Sequence, residues 1–493
     1  MTLNSLLLTL YFLITNFKSI YYYDEKTRIF NEFVFLVLVA CNSSYESIEK
    51  IPIVINKYDP NQPTKLESID PTYGVIDQTF IVNGNFPGDT SNIKVYFGTK
   101  RAIITANNGI SITGIVPKQP DGYNQVSMVI GKDSIVPDGM KFKYRQSKSV
   151  KTIAGKLGTE NWLSDASYAG AAIDAVTFGE VHYVATVAGQ KNDNILVLET
   201  GWGNRLFMLS LDDNRIQKLP TPTNLSSMAV ASTRDKFYAT RYHDGDRAIY
   251  MYSKENNWSF KNTGITILRS DYPGVRVPSM TFAENDNLLY VLDVEGRIAE
   301  VNIAEKSYKI YTTADKKPSN VDANNFGGLI TGPILPSNFG DWEDSYITYS
   351  KYHKCFFVSY TYEQAIYKYV KNADNTWTCT LYAGKNGQGS TVGDRLKDAQ
   401  FNKPHGLVVN ADGDILVCNK GNQPWDGQGH SISRISKNAV EILAGKTNSN
   451  NPLLNGLPLE STFNTPRNLA IDFEGNYYIA GGNDYTVRKL SIE

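Results

Sequence analysis

Between Leu66 and Tyr144 apolar and polar residues alternate in short runs: Thr-Phe-Ile-Val-Asn-Gly at 79–84, Lys-Val-Tyr-Phe-Gly at 94–98, Gln-Val-Ser-Met-Val-Ile at 125–130 and Met-Lys-Phe-Lys-Tyr at 140–144. Gly, Pro, Asn and Asp clusters separate them, so half-buried strands joined by tight turns are predicted, as in a compact β-sandwich. Beyond residue 150 the runs become longer and come in pairs. Asn-Ile-Leu-Val-Leu-Glu (194–199) precedes Arg-Leu-Phe-Met-Leu (205–209), and Lys-Phe-Tyr-Ala-Thr (236–240) precedes Ala-Ile-Tyr-Met-Tyr (248–252). Leu-Leu-Tyr-Val-Leu-Asp (288–293) with Ile-Ala-Glu-Val-Asn (298–302), and Cys-Phe-Phe-Val-Ser-Tyr (355–360) with Ala-Ile-Tyr-Lys-Tyr (365–369), repeat the theme. Nothing in the pattern has a sustained helical period, so an all-β chain is expected.

The last part of the chain can be laid over itself. Leu-Tyr-Ala-Gly-Lys at 381–385 answers Ile-Leu-Ala-Gly-Lys at 442–446, about sixty residues apart. Asp-Ala-Gln-Phe-Asn-Lys-Pro-His-Gly at 398–406 answers Glu-Ser-Thr-Phe-Asn-Thr-Pro-Arg-Asn at 460–468. Each leads through an apolar strand to an acidic-Gly hairpin. Lys-Thr-Ile-Ala-Gly-Lys at 151–156 repeats the closing phrase far upstream. These phrases resemble NHL repeats, in which Ala-Gly closes one blade of a β-propeller and Phe-Asn-x-Pro opens the next. Two clear repeats and four weaker strand pairs predict six blades over 150–493. The chain ends on a third strand without a fourth, and Val150 to Gly155 form a fourth strand without a preceding three. That segment is therefore expected to complete the last blade and close the ring.

Landmarks of the small module, Ile-Asp-Pro-Thr-Tyr-Gly (69–74), Thr-Phe-Ile-Val-Asn-Gly-Asn-Phe (79–86), Val-Tyr-Phe-Gly (95–98), Ile-Val-Pro (115–117) and Phe-Lys-Tyr (142–144), resemble the IPT/TIG family. The resemblance implies an immunoglobulin-like sandwich over 66–144 that serves as spacer or docking unit. The expected fold class is thus all-β: an IPT/TIG sandwich followed by a six-bladed NHL-type β-propeller.

Ahead of the sandwich, the apolar run from Ile29 to Ala40 follows Lys26 and Arg28 and ends at Cys41. Leu38, Val39, Ala40 and Cys41 resemble a bacterial lipobox, which implies cleavage before Cys41 and lipidation of its sulfur. Residues 1–41 then form the signal segment, and the mature protein is tethered by lipid alone. Asn31 and Glu32 interrupt the run, and a second apolar run from Leu6 to Phe17 offers an uncleaved signal anchor as the alternative. Either route exports the remainder. Residues 42–65, with Pro52, Pro60 and Pro63 among Ser, Asn, Glu and Lys, are expected to be an extended linker.

Charge changes the picture little: 49 Lys plus Arg stand against 50 Asp plus Glu, which argues against nucleic acid as a partner. The four cysteines, Cys41, Cys355, Cys379 and Cys418, show neither a CxxC nor metal-ligand spacing. Cys355 and Cys418 lie in apolar runs and are expected to be buried thiols.

In a propeller the second-to-third strand loops and the blade-to-blade loops share one face. Trp162, Trp202, Arg205, Arg241, Tyr242, His243, Asp244, Tyr362, Trp425 and Tyr485 are placed there, with Trp342 in a further blade-to-blade loop; Trp258 and Trp377 fall elsewhere. Aromatic rings among polar groups suit carbohydrate, the ring covering a sugar's CH face while neighbours bond its hydroxyls. A tryptophan packed between blades is the structural alternative at each position. His182 and His405 stand at the starts of innermost strands, where NHL-like zinc lyases hold metal. Arg467 and Ser279 take the matching places, so no metal, cofactor or catalytic residue is expected. The combination resembles surface lipoproteins of polysaccharide-utilisation systems in Gram-negative bacteria. It implies a non-catalytic outer-membrane, cell-surface protein that binds a polysaccharide or oligosaccharide for uptake beside an outer-membrane transporter complex. A protein-interaction scaffold on the same face, and a propeller lyase or hydrolase, are the other readings.

Overall fold

The structure, a computed structural model, describes residues 58–88, 90–160, 170–200, 205–222, 224–241, 245–273, 277–336, 345–422, 429–446 and 453–492. Two bodies follow one another along the chain. The first is a sandwich of β1 (Lys65–Asp70), β2 (Tyr73–Gly74), β3 (Thr79–Asn85), β4 (Ile93–Phe97), β5 (Lys100–Arg101), β6 (Ile103–Asn107), β7 (Ser111–Ile115), β8 (Gly122–Ile130), β9 (Asp133–Ile135) and β10 (Lys141–Tyr144). One sheet has the order β1-β3-β7-β6; the other runs β2-β10-β8-β4-β5, with β9 on β8. Alternation decides which residues meet between the sheets: Phe80, Phe97 and Phe142 pack edge to face at 5.0 Å, fully buried. Residues ahead of β1 also lie against this body, for the Asn85 amide donates to the carbonyls of Asp59 (2.9 Å) and Gln62 (3.0 Å).

After β11 (Lys148–Gly155) the chain builds six antiparallel blades. Blade one is β12 (Glu180–Val187), β13 (Asn194–Thr200), β14 (Arg205–Ser210) and β15 (Arg215–Leu219). Blade two is β16 (Leu225–Val230), β17 (Lys236–Arg241), β18 (Arg247–Ser253) and β19 (Phe260–Ile267). Blade three is β20 (Ser279–Phe282), β21 (Leu288–Leu292), β22 (Ile298–Asn302) and β23 (Ser307–Thr312), followed by an added strand, β24 (Phe326–Thr331). Blade four is β25 (Tyr346–Ser350), β26 (Cys355–Tyr360), β27 (Ala365–Lys371) and β28 (Trp377–Gly384). A short β29 (Gly393–Asp394) precedes blade five, β30 (Pro404–Val409), β31 (Ile415–Asn419), β32 (Ser431–Ile435) and β33 (Ala439–Ala444). Blade six is β34 (Asn468–Ile471), β35 (Tyr477–Ala480) and β36 (Thr486–Ile492), completed by β11, which pairs with β36 from Lys148↔Ile492 to Gly155↔Thr486. The ring closes as its unmatched strands require.

The repeated Ala-Gly-Lys phrase now has a physical cause. Gly155, Gly384 and Gly445 all have positive φ, and a Cβ on each would lie within 3 Å of backbone from the second-to-third strand turn and press on Phe178, Phe401 or Phe463 of the neighbouring blade. The glycine thus lets three pieces of chain meet at one point. Around the channel, side chains of one blade cap the inner-strand edge of another: the Val184 N–H donates to Asn468 Oδ1 (3.1 Å), Thr186 Oγ1 to the Ile471 carbonyl (2.7 Å), and the Ile347 N–H to Ser279 Oγ (3.1 Å). Without such caps these edges would leave buried polar groups unpaired.

One feature was not anticipated. β24 pairs in parallel with both β23 and β28, so blades three and four fuse into a nine-stranded sheet. Trp377 sits in the joint, fully buried, with its ring 5.3 to 5.8 Å from those of Phe356, Tyr311 and Tyr290. Trp258 is also buried, stacked at 5.9 Å on Phe237.

Candidate functional site

Within each blade the strands alternate direction, so the turns β13–β14, β17–β18, β26–β27 and β35–β36 reach the same face. Among the residues expected there, the structure places four on it, each in a different blade. Arg205 opens β14, but its guanidinium lies 2.6 Å from the fully buried carboxylate of Glu199, which also accepts from the Gly179 N–H. Arg205 is therefore a brace, with 12% of its side chain exposed. Arg241, the last residue of β17, is exposed, and Tyr362 in the β26–β27 turn is 53% exposed. Tyr485 takes a left-handed conformation in the β35–β36 turn (φ 59°), half-buried. Burial, then Glu160 and Glu180, push its phenol upward. Trp162, Trp202, Tyr242, His243, Asp244, Trp342, Trp425 and Cys41 lie outside the described residues.

At the mouth of the channel on this face, the first residue of β12 supplies a carboxylate that sequence reasoning passed over. Glu180 Oε2 lies 3.0 Å from His182 Nε2, and Oε1 accepts from Arg467 Nη2. Burial alone would raise this carboxyl; Arg467 and His182 outweigh it and hold the group well below the usual carboxylate range. The available signal was the spacing of Glu180 and His182, two apart and so on one side of a strand. Below them the channel is stoppered. Tyr183 stacks on Tyr346 from the opposite blade at 6.4 Å and donates its hydroxyl to the Met228 carbonyl (2.9 Å). The buried His405 ring lies 5.5 Å from Tyr346. Ser279 spends its hydroxyl on the Ile347 backbone. Among the described residues no group of three His, Cys, Asp or Glu could hold a metal ion. The mouth is a set of matched charges, Glu180 with His182 and Arg467, able to hydrogen-bond a polar ligand.

Beneath the stopper a cavity of about 340 Å³ opens on the other face, lined by residues of the innermost strands and by Arg234, Asp286 and Lys351. Arg234 is tied to Asp193 and to Thr186 Oγ1 (2.7 Å), and Asp286 to Ser232 (2.8 Å). The sandwich lies on this side. β11 starts there, and Lys118 Nζ donates to the Glu474 carbonyl in the β34–β35 hairpin (3.1 Å).

Comparison with known proteins supports this architecture. The IPT/TIG domain model matches residues 63–144 and the NHL repeat model residues 401–423. No curated protein matches the sequence. A protein of unknown function from Bacteroides thetaiotaomicron VPI-5482 has a similar structure, with 22% identity and a TM-score of 0.69 over 89% of this chain and 100% of that one. An auxiliary nutrient binding protein from the same organism aligns at 17% identity and TM-score 0.52, over 89% of this chain and 99% of that one. One from Bacteroides ovatus ATCC 8483 aligns at 16% identity and TM-score 0.54, over 89% and 100%. At these identities the likeness speaks for the fold.

Proposed function

We propose that this protein is a non-catalytic, lipid-anchored binding protein of the outer membrane that holds a polysaccharide or oligosaccharide on the loop face of its ring. The observation that carries the reading is polarity of placement. The sandwich meets the ring at the β34–β35 hairpin, so the face bearing Arg241, Tyr362 and Tyr485 points away from the sandwich, the domain that stands between Cys41 and the ring in the sequence. A tether attached there would present that face outward, beside an outer-membrane transporter. The nutrient-binding proteins that share the fold over most of this chain are consistent with a binding role.

In this reading Trp162, Trp202 and Trp425 form the stacking platform, Arg241, Tyr242, His243, Tyr362 and Tyr485 supply polar contacts, and Arg205 steadies the loop beside Trp202. Each aromatic stack contributes about 1 kcal/mol beyond area burial, so affinity is modest and grows with chain length. Trp202→Ala with Trp425→Ala abolishes retardation in a polysaccharide affinity gel while the melting temperature holds. Wild-type retardation in that double variant sinks the platform and makes a peptide-binding scaffold the better reading. Separately, Cys41→Ser moves the protein from the membrane to the soluble fraction; an unchanged partition supports the Leu6–Phe17 anchor.

A further inference from the structure

The outer side of the sandwich sheet β2-β10-β8-β4-β5 is unusual in its charge. In β10, Lys141 and Lys143 point outward between the buried Phe142 and Tyr144, and Arg145 continues the alternation. Register brings Tyr123 and Gln125 of β8 opposite Lys143 and Lys141, and Tyr73 of β2 beside Lys143. Further along β8, Ser127 and Val129 face Tyr96 and Lys94 of β4, and Arg101 of β5 pairs with Tyr96. One face thereby carries Lys94, Arg101, Lys141, Lys143 and Arg145 with Tyr73, Tyr96 and Tyr123. No carboxylate shares it by register. Asp121 lies at its end, where it accepts from the Gln146 N–H (3.1 Å). Among the described residues none of the five cations is in an ion pair, and the pair Lys65–Glu67 belongs to the other sheet.

In a chain with 49 basic and 50 acidic residues, such a face is sorted. Five like charges on a rigid sheet repel one another, and among the described residues no ion pair relieves them. The aromatic partners are exposed, Tyr123 at 71% and Tyr73 at 52%, with the Lys143 ammonium 5.6 Å from one ring and the Arg145 guanidinium 4.8 Å from the other. We infer that this sheet face is a second binding surface, for an acidic polysaccharide whose carboxylates meet the cation rows while its sugar rings lie on the tyrosines. The inference stands apart from the reading of the ring. Along β10 the outward cations recur about every 7 Å, so a stiff uronate chain lying flat meets several in succession. A membrane surface fits less well, because faces that lie in a bilayer carry Trp, Phe or Leu on the inserting side. Here the face is built of Lys, Arg and Tyr, and the aliphatic residues beside them, Val129 and the exposed Val136, are small. Single-stranded nucleic acid is ordinarily tracked in a groove, and this face is open.

The test uses the full chain against polygalacturonate, with dextran as the neutral control and phosphatidylglycerol vesicles and a short single-stranded DNA as competing classes. Polygalacturonate is retained and dextran is not, and a roughly tenfold rise in salt removes the binding. Lys143→Gln with Arg145→Gln weakens it about five- to tenfold, and Tyr123→Ala weakens it in parallel. Absence of polygalacturonate binding, an unchanged double variant, or equal or tighter capture of vesicles or DNA overturns the proposal. Retention in the Trp202 and Trp425 double variant together with loss in the sandwich variant assigns the site to the sheet. The reverse pattern overturns it and leaves the ring reading standing.

Discussion

Ring closure rests on the seam between β11 and β36, and a single glycine there can test it. Gly155 has φ +86°, and an added Cβ would lie 2.3 Å from the Tyr485 carbonyl oxygen and 2.9 Å from Thr486 Cα, both backbone atoms that cannot swing aside. Gly155→Val therefore combines the left-handed penalty of about 1–2 kcal/mol with overpacking of about 1–3 kcal/mol, roughly 2–5 kcal/mol in all. Gly158→Val separates the two, since Gly158 also has positive φ (+67°) while its nearest neighbour is Leu453 Cδ1 at 3.5 Å. It should lose only the first part. All six tryptophans lie beyond residue 150, so urea unfolding followed by tryptophan fluorescence reports the ring and not the sandwich. Against a typical total of about 5–15 kcal/mol, the Gly155 variant shifts the midpoint well below that of Gly158→Val. Equal midpoints for the two would refute the argument that the seam is sterically filled.

Three further outcomes are expected. Trp377→Ala, which empties the joint between blades three and four, costs about 3–5 kcal/mol; a loss under about 1 kcal/mol in urea titration would mean that the β24 wedge is not held by this ring. Burial pushes the Cys355 and Cys379 thiols up to about 11 and about 12 and raises Cys418 well above the ordinary thiol range, so native protein resists a disulfide reagent at neutral pH at all three, which react once it is unfolded. Burial, against the opposing pull of Arg488, pushes the Asp484 carboxyl up to about 7. The native state then holds a proton that the unfolded chain releases, and this contribution is lost as pH rises from the ordinary carboxylate range through about 7. Asp484→Asn flattens that slope in urea titrations across the same range; an unchanged slope assigns it elsewhere.

The fold was legible because its causes are local. Ala-Gly-Lys needs a glycine where three segments cross, Phe-Asn-x-Pro supplies the ring that packs on it, and strand parity alone places an odd strand at each end. β24 was not legible for the opposite reason. Its sequence, Phe-Gly-Gly-Leu-Ile-Thr, carries two glycines and no alternation, and what makes it a strand is the pair of edges it finds on β23 and β28. The site divides in the same way. Strand direction sorted Arg205, Arg241, Tyr362 and Tyr485 onto one face without any knowledge of contacts. It could not say that Arg205 is consumed by Glu199, because that pairing depends on the register of β13 with β14.

Register also decides what the sandwich can do. Lys94, Arg101, Lys141, Lys143 and Arg145 are scattered over fifty residues of a chain with balanced charge, and as a composition they cancel. Pairing Lys143 with Tyr123 and Tyr96 with Arg101 turns the same residues into one continuous basic and aromatic surface. A shift of one residue in β10 would bury Lys143 and expose Phe142, so the packing of Phe97 on Phe142 that holds the core also holds the cations outward. Core and surface are thus set by one alignment. A spacer needs only the inner half of that alignment, and it is the sorting of the outer half that packing does not explain.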